Sequence, residues 1–119
     1  MSNSILRDKS KKYARDIVCL CRKLKENRVE YDLVNQLMRS GTSVGANIHE
    51  ARYAQGTKDL ISKFEIALKE CNESEYWLEL LKDIGDISEE TFRAMQNDII
   101  TLRRMLVSSV TTLKSKLEL

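Results

Sequence analysis

The stretch Ile87-Ser88-Glu89-Glu90-Thr91-Phe92-Arg93-Ala94-Met95-Gln96-Asn97-Asp98-Ile99 decides the fold. Ser88 is a good N-cap, Glu89 and Glu90 suit the positive end of a helix dipole, and Ile87 and Phe92 occupy the N′ and N4 places of a hydrophobic staple. From there Phe92, Met95, Ile99, Leu102, Leu106, Val110, Leu113 and Leu117 recur every three or four residues. One face of a long helix is therefore apolar almost to the end of the chain.

Three more helices follow on working outward. Thr57 serves as the N-cap of the third, with Asp59 in its first turn. Its stripe is Leu60, Phe64, Ala67, Cys71, Leu78 and Leu81, interrupted only by Ser74, and it stops at Gly85. The second carries Leu33, Leu37, Gly41, Val44, Ile48 and Ala51, with Gly56 as its C′ residue. The first carries Leu6, Tyr13, Ile17, Leu20 and Leu24, flanked by Ala14 and Cys21, and breaks at Asn27 and Arg28. Four amphipathic helices with short connections predict an all-α, antiparallel up-down-up-down four-helix bundle, with residues 1–119 as a single domain. At ~1.5 Å per residue it forms a rod roughly 35–45 Å long. With no proline and four glycines in 119 residues, tight turns are too few for a many-stranded sandwich or barrel. A composition 42% hydrophobic and 32% charged suits a packed core rather than a disordered chain.

The net charge of +2 divides unevenly along the chain. Residues 1–55 carry 11 basic and 6 acidic side chains, a net of +5; residues 56–100 carry 5 and 11, a net of −6; residues 101–119 carry 4 and 1, a net of +3. This alternation points to complementary faces, either between antiparallel neighbours or between subunits. Cys19 and Cys21 point to nearly opposite sides of a helix, no CxxC pair occurs, and no secretory apolar region precedes them. Reduced thiols in the cytoplasm are the simplest reading. No apolar run approaches the roughly 18–20 residues of a membrane span.

The sequence offers little for catalysis. His49-Glu50 opens like a zinc-protease HExxH motif, but the second histidine would fall at Tyr53. Glu50, Glu65, Glu70 and Glu73 lack the Glu-x-x-His pairs of a carboxylate-bridged metal bundle and read as solvated or ion-paired faces. Arg39-Ser40-Gly41-Thr42-Ser43-Val44-Gly45-Ala46-Asn47 has the glycines of a phosphate loop, yet no Gly-Lys-Ser/Thr and no preceding strand. Two mid-helix glycines cost about 1 kcal/mol each relative to alanine, so something compensates. The favoured reading is close backbone approach at Gly41, Ser43, Gly45 and Ala46, within the subunit or across an interface. The alternative is a small-ligand crevice lined by Thr42, Ser43 and Asn47. Arg39, Asn47 and Glu50 also suit a buried polar network that fixes helix register.

On helix 1, at 100° per residue, Lys11, Arg15 and Arg22 fall within about 40° of one another, opposite the Tyr13–Ile17–Leu24 stripe. Lys12 and Lys23 lie beside them. Such a row can track a phosphate backbone, or it can be an ordinary solvated face softened by Asp8, Asp16 and Glu26. No stacking aromatic stands near it in sequence except Tyr13, which is on the apolar side. Trp77 lies at the edge of the third stripe and either caps the core or anchors an interface. Ile61, Trp77 and Leu80 read as apolar overflow that a partner would cover.

Gln36-Leu37-Met38-Arg39-Ser40-Gly41-Thr42-Ser43-Val44-Gly45-Ala46-Asn47-Ile48-His49-Glu50-Ala51 resembles the signature of small bacterial four-helix proteins related to those encoded in ribosomal RNA intervening sequences. Ile66-Ala67-Leu68-Lys69-Glu70-Cys71 and Tyr76-Trp77-Leu78-Glu79-Leu80-Leu81 extend the likeness over helices 2 and 3. The resemblance implies a cyclic homo-oligomer, a pentamer foremost, with a role linked to RNA or ribosomes and no catalytic residues to carry over. It also touches a related bundle family that assists reverse transcriptases through a basic surface.

The resulting expectation is a non-enzymatic cytoplasmic ring that binds RNA or a nucleoprotein, with no cofactor, membrane or small-molecule substrate. Lys11, Lys12, Arg15, Arg22 and Lys23 would meet phosphate. Arg39, Gly41, Ser43, Gly45, Asn47, Glu50 and Trp77 would organise packing or the oligomer interface, and the unlike basic and acidic segments would suit a heterologous contact. The rival readings are a protein-interaction scaffold without nucleic-acid affinity and, more distantly, a ligand-binding crevice at Thr42, Ser43 and Asn47.

Overall fold

The structure is a computed structural model that describes residues 3–118. It contains α1 (Asn3–Glu26), α2 (Tyr31–Ala51), α3 (Thr57–Asp83) and α4 (Glu89–Leu117). Each helix packs along the next, and α4 returns to α1 in the thinnest of the four seams. The result is an antiparallel up-down-up-down bundle measuring 52 × 22 × 20 Å. It is longer than the expected rod of roughly 35–45 Å, in part because residues 114–118 at the end of α4 are exposed beyond the last buried residue, Val110.

The sequence stripes become the core. Leu6, Tyr13, Ile17 and Leu24 of α1 meet Val34, Leu37, Val44 and Ile48 of α2, and Phe64, Ala67, Cys71, Leu78 and Leu81 of α3 meet Phe92, Ile99, Leu102 and Leu106 of α4. Ile61 is buried within this cluster rather than left as overflow, while Trp77 is half-buried and packs against it. Three serines also lie in the core: Ser10, Ser40 and Ser74. Each is satisfied by its own helix, through bonds to the carbonyls of Arg7, Gln36 and Cys71. Ser74 does more, because its hydroxyl lies 2.8 Å from that of Tyr13 across the bundle diagonal. Ser74 gives its one proton to the Cys71 carbonyl, so Tyr13 donates to Ser74. The break in the α3 stripe is thus a polar pin between α1 and α3.

The helix ends follow local chemistry. Ser88 Oγ accepts from Thr91 N at 3.0 Å, and Ile87 and Phe92 are both buried, completing the cap and staple. At the end of α3, Asp86 N bonds Leu81 O and Gly85 N bonds Lys82 O, a Schellman motif with Gly85 at φ +87°. The end of α1 repeats the pattern with Val29 N to Leu24 O and Arg28 N to Lys25 O, but places Arg28 in the left-handed region at φ 59°. The start of α3 differs from the sequence reading. Gly56, at φ +133°, is the N-cap and Thr57 the first helical residue, so Gly56 opens α3 instead of closing α2. Asp59 Oδ2 reaches back to accept from Gln55 N at 3.0 Å, which ties the incoming chain to the first turn, and no side chain caps the helix.

Candidate nucleic-acid interface

The charge alternation is largely resolved between neighbouring helices. Arg39 of α2 pairs with Glu70 at 3.5 Å and with Glu73 on α3, while Lys63 of α3 pairs with Glu50 of α2 at 3.3 Å. Glu73 also accepts from Trp77 Nε1 at 3.2 Å, tying the half-buried indole into this latch. Across α3 and α4, Arg103 meets Glu75 at 2.5 Å and Lys114 meets Glu65 at 3.0 Å. The acidic segment therefore holds partners from both flanking helices.

The α1–α2 seam is built differently. A Cβ on Gly41 would come within 2.7 Å of Ile17 Cγ1, and one on Gly45 within 3.3 Å of the Ser10 carbonyl oxygen. The two glycines let α1 settle directly on α2, and no ion pair crosses this seam among the described residues.

The cations of α1 consequently separate into two groups. Lys12 is engaged: its Nζ donates to Asp16 at 2.8 Å and to Asp98 of α4 at 3.3 Å. These bonds, that to Asp16 foremost, raise its pKa above the usual lysine value. Lys23, exposed and eleven residues on, falls about 20° from Lys12 and shares that side of the helix. Lys11, Arg15 and Arg22 are exposed, form no ion pair among the described residues, and surround a shallow depression of about 430 Å³ floored by Ala14, Val18 and Cys19.

A second groove, of about 400 Å³, adjoins the first and shares Lys11 and Ala14 with it. It runs between α1 and α2, with Arg7, Asp8 and Lys11 on one wall and Thr42, His49 and Arg52 on the other. Ser10, Gly45 and Ala46 form part of its lining. Tyr53 stands beside it, 68% exposed, with the Arg52 guanidinium 5.7 Å from its ring centroid and the His49 ring at 5.9 Å. Arg7, His49, Arg52 and Tyr53 are absent from the sequence-based site. Arg7 was legible, since it precedes Lys11 by four residues and so shares its face. Arg52 and Tyr53 lie past the end of the α2 pattern, and only the packing of α2 on α1 brings them alongside.

The remaining candidates do not converge. Arg39 and Glu50 are separated by about 16 Å along α2 at ~1.5 Å per residue, so the expected buried Arg39–Asn47–Glu50 network does not form. Each of the two charges turns to α3, and Asn47 Nδ2 bonds the Ser43 carbonyl at 2.9 Å. Ser43 and Thr42 likewise donate to the carbonyls of Arg39 and Met38. Thr42 alone of the proposed crevice residues lines the groove. No group of three or more metal-ligating side chains occurs among the described residues. Burial pushes the Cys21 thiol up to about 11 and that of Cys71 up to about 12, so both stay protonated and unreactive. Cys19 is the exposed thiol.

Fold and surface together define a small all-α bundle whose α1 side carries spare positive charge, with no assembled metal or nucleophile constellation among the described residues. Residues 2–108 match the family described as 23S rRNA-intervening sequence protein, and the chain belongs to that family. It is also similar to the crystal structure of a protein of unknown function from the S23 ribosomal protein family of Bacteroides thetaiotaomicron. The two are 42% identical with a TM-score of 0.90, over 93% of this chain and 99% of that one. A comparison with curated proteins finds no match. Neither the family description nor that of the solved structure names an enzymatic activity. No helix among the described residues is long and apolar enough to cross a membrane.

Proposed function

We propose that this protein is a non-enzymatic cytoplasmic RNA-binding bundle that works as a cyclic homo-oligomer and grips the phosphate backbone through α1. The observation that carries this reading is the difference between spare and engaged charge. Glu65, Glu70, Glu73 and Glu75 of α3 are ion-paired within the bundle, whereas Lys11, Arg15 and Arg22 stand in a row without ion-pair partners among the described residues. Such a row releases counterions when it meets phosphates, which makes binding strong at low salt and steeply salt-dependent. The family description, which names a ribosomal RNA intervening sequence, agrees in direction. A ring needs two unlike surfaces on each copy. Exposed Ile100 and Val107, two turns apart on α4 with Arg104 between them, belong to a surface distinct from the α1 face. A pentamer is the proposed closure.

Anisotropy of a fluorescent ribosomal RNA fragment, titrated across a salt series, tests the binding. The expected result is a linear fall of log K with log salt, with a slope that drops by about 1.4 when Arg15 and Arg22 are both replaced by alanine. Absence of binding at 50 mM salt would instead leave a protein-interaction scaffold, a role for which the apolar floor of Ala14, Val18 and Cys19 between the α1 cations is suited. Multi-angle light scattering tests assembly, and a monomer at micromolar concentration removes the ring.

A further inference from the structure

We infer that the groove between α1 and α2, with Tyr53 at its rim, holds a single-stranded stretch of RNA, stacking one unpaired base on Tyr53 and seating the adjoining phosphates among Arg7, Lys11 and Arg52. This rests on the RNA-binding reading and adds to it which RNA and where.

Charge is the first observation. Arg7, Lys11 and Arg52 face one groove, Asp8 is the single acid among its lining, and none of the three cations has an ion-pair partner among the described residues. A net of two positive charges remains for an anion. The groove, about 400 Å³, is roomy enough for a phosphate and its sugar, and it shares Lys11 and Ala14 with the adjoining depression bordered by Arg15 and Arg22. A strand leaving the groove would therefore continue over further unpaired cations.

The second observation is aromatic. Tyr53 is among the most exposed large side chains of the molecule and belongs to no apolar cluster. Its neighbours are a guanidinium and an imidazole, both of which stack on bases and neither of which buries the ring. A planar ring held beside unpaired cations matches the recurring design of single-strand sites, in which cations follow the backbone while aromatics take the bases. A paired base inside an A-form duplex presents no face to such a ring, so the arrangement favours unpaired nucleotides.

The test uses the full chain with a labelled single-stranded RNA of about twenty nucleotides and its blunt-ended duplex. Single-stranded RNA should bind more tightly than the duplex. Tyr53→Ala should weaken single-strand binding about tenfold or more without altering the salt slope. Tyr53→Phe, which keeps the ring, should retain binding, and Arg52→Ala should lower the slope by about 0.7. Tyr53 is exposed, so these variants should keep the circular dichroism spectrum and melting curve of the parent, which separates lost binding from lost folding. If both RNAs bind equally and Tyr53→Ala has no effect while Arg15→Ala still weakens binding, the groove inference is overturned and the α1 reading survives. If neither RNA binds, both fall together.

Discussion

Helix α2 is held to its two neighbours by opposite means. Against α1 it offers Gly41 and Gly45, and contact there, with Ile17 and the Ser10 backbone, is close and free of ion pairs among the described residues. Against α3 it offers Arg39 and Glu50, which pair with Glu70, Glu73 and Lys63. The close seam derives its stability from shape and burial, which salt leaves nearly untouched; the latched seam derives part of its stability from charges that salt screens. The difference has a functional consequence. Because no ion pair joins α1 to α2 among the described residues, the α1 cations are not taken up by that joint and remain available on the surface.

Filling the close seam should do the most damage. Gly41→Leu places Cβ where Ile17 already is and adds three more carbons, so a loss of at least about 3 kcal/mol is expected in urea unfolding. Gly41→Ala should be far milder, since about 1–3 kcal/mol of crowding is offset by about 1 kcal/mol of helix propensity. Ile17→Ala, which removes the Cγ1, Cγ2 and Cδ1 atoms that crowd position 41, should cost less in the Gly41→Ala background than in the parent, a coupling that a double-mutant cycle would measure. A Gly41→Leu protein as stable as the parent would show that the seam is not closely packed.

Alkaline pH probes the dry interior next. Cys21, which reaches the Val34 carbonyl across the close seam, and Cys71 have thiols pushed up to about 11 and about 12 by burial, and burial moves Tyr13 upward too. In the unfolded chain these groups ionise near about 8.5 for cysteine and about 10 for tyrosine. Above pH ~8.5 the unfolded chain binds fewer protons than the folded one, so stability should fall as pH rises, by about 1–3 kcal/mol per pH unit between ~9 and ~11. Cys21→Ala should flatten that slope when stability is followed by urea unfolding at each pH. Equal slopes in the two proteins would mean that Cys21 ionises freely in the native state.

The latch gives a smaller effect with a different signature. Arg39→Ala should lose about 1 kcal/mol at low salt, because Arg39 is half-exposed and its bonds to Glu70 and Glu73 are partly screened by water. The gap between variant and parent should narrow in 1 M salt. The Gly41→Leu gap should not. A salt-independent loss at Arg39 would place its role in packing against α3 rather than in charge.

The same contrast explains what could be read from the sequence. Helix periodicity and the Ser88 cap were legible because they depend on neighbours within one or two turns, and so was the need for close approach at two mid-helix glycines. The partner that closes on Gly41, Ile17, was not, since nothing local specifies which stripe faces it. In the sequence the Tyr13–Ser74 pin shows only as a break in the α3 stripe, because its second half lies 61 residues away. For the same reason Arg39 and Glu50 looked like partners on one helix face, although their partners lie on α3. The candidate site divides along the same line: the row on α1 is local and visible, whereas the groove draws Arg7 and Lys11 from one helix and Arg52 from the end of another.

The finest test of spare against engaged charge sets Lys12 beside Arg15. The two are three residues apart on α1 and both exposed. In the folded protein Lys12 bonds Asp16 and Asp98, whereas Arg15 has no ion-pair partner among the described residues. A cation already satisfied by carboxylates has few counterions to release to a phosphate, so it contributes little to the salt dependence of RNA binding. Arg15→Met should therefore lower the slope of log K against log salt by about 0.7, and Lys12→Met by less than half as much. Stability should respond in the opposite order: Arg15→Met leaves it unchanged, and Lys12→Met costs no more than about 0.5 kcal/mol, the scale of exposed pairs. If Lys12→Met flattens the salt dependence as far as Arg15→Met does, Lys12 exchanges its carboxylates for phosphate on binding, and the α4 edge of α1 joins the RNA surface.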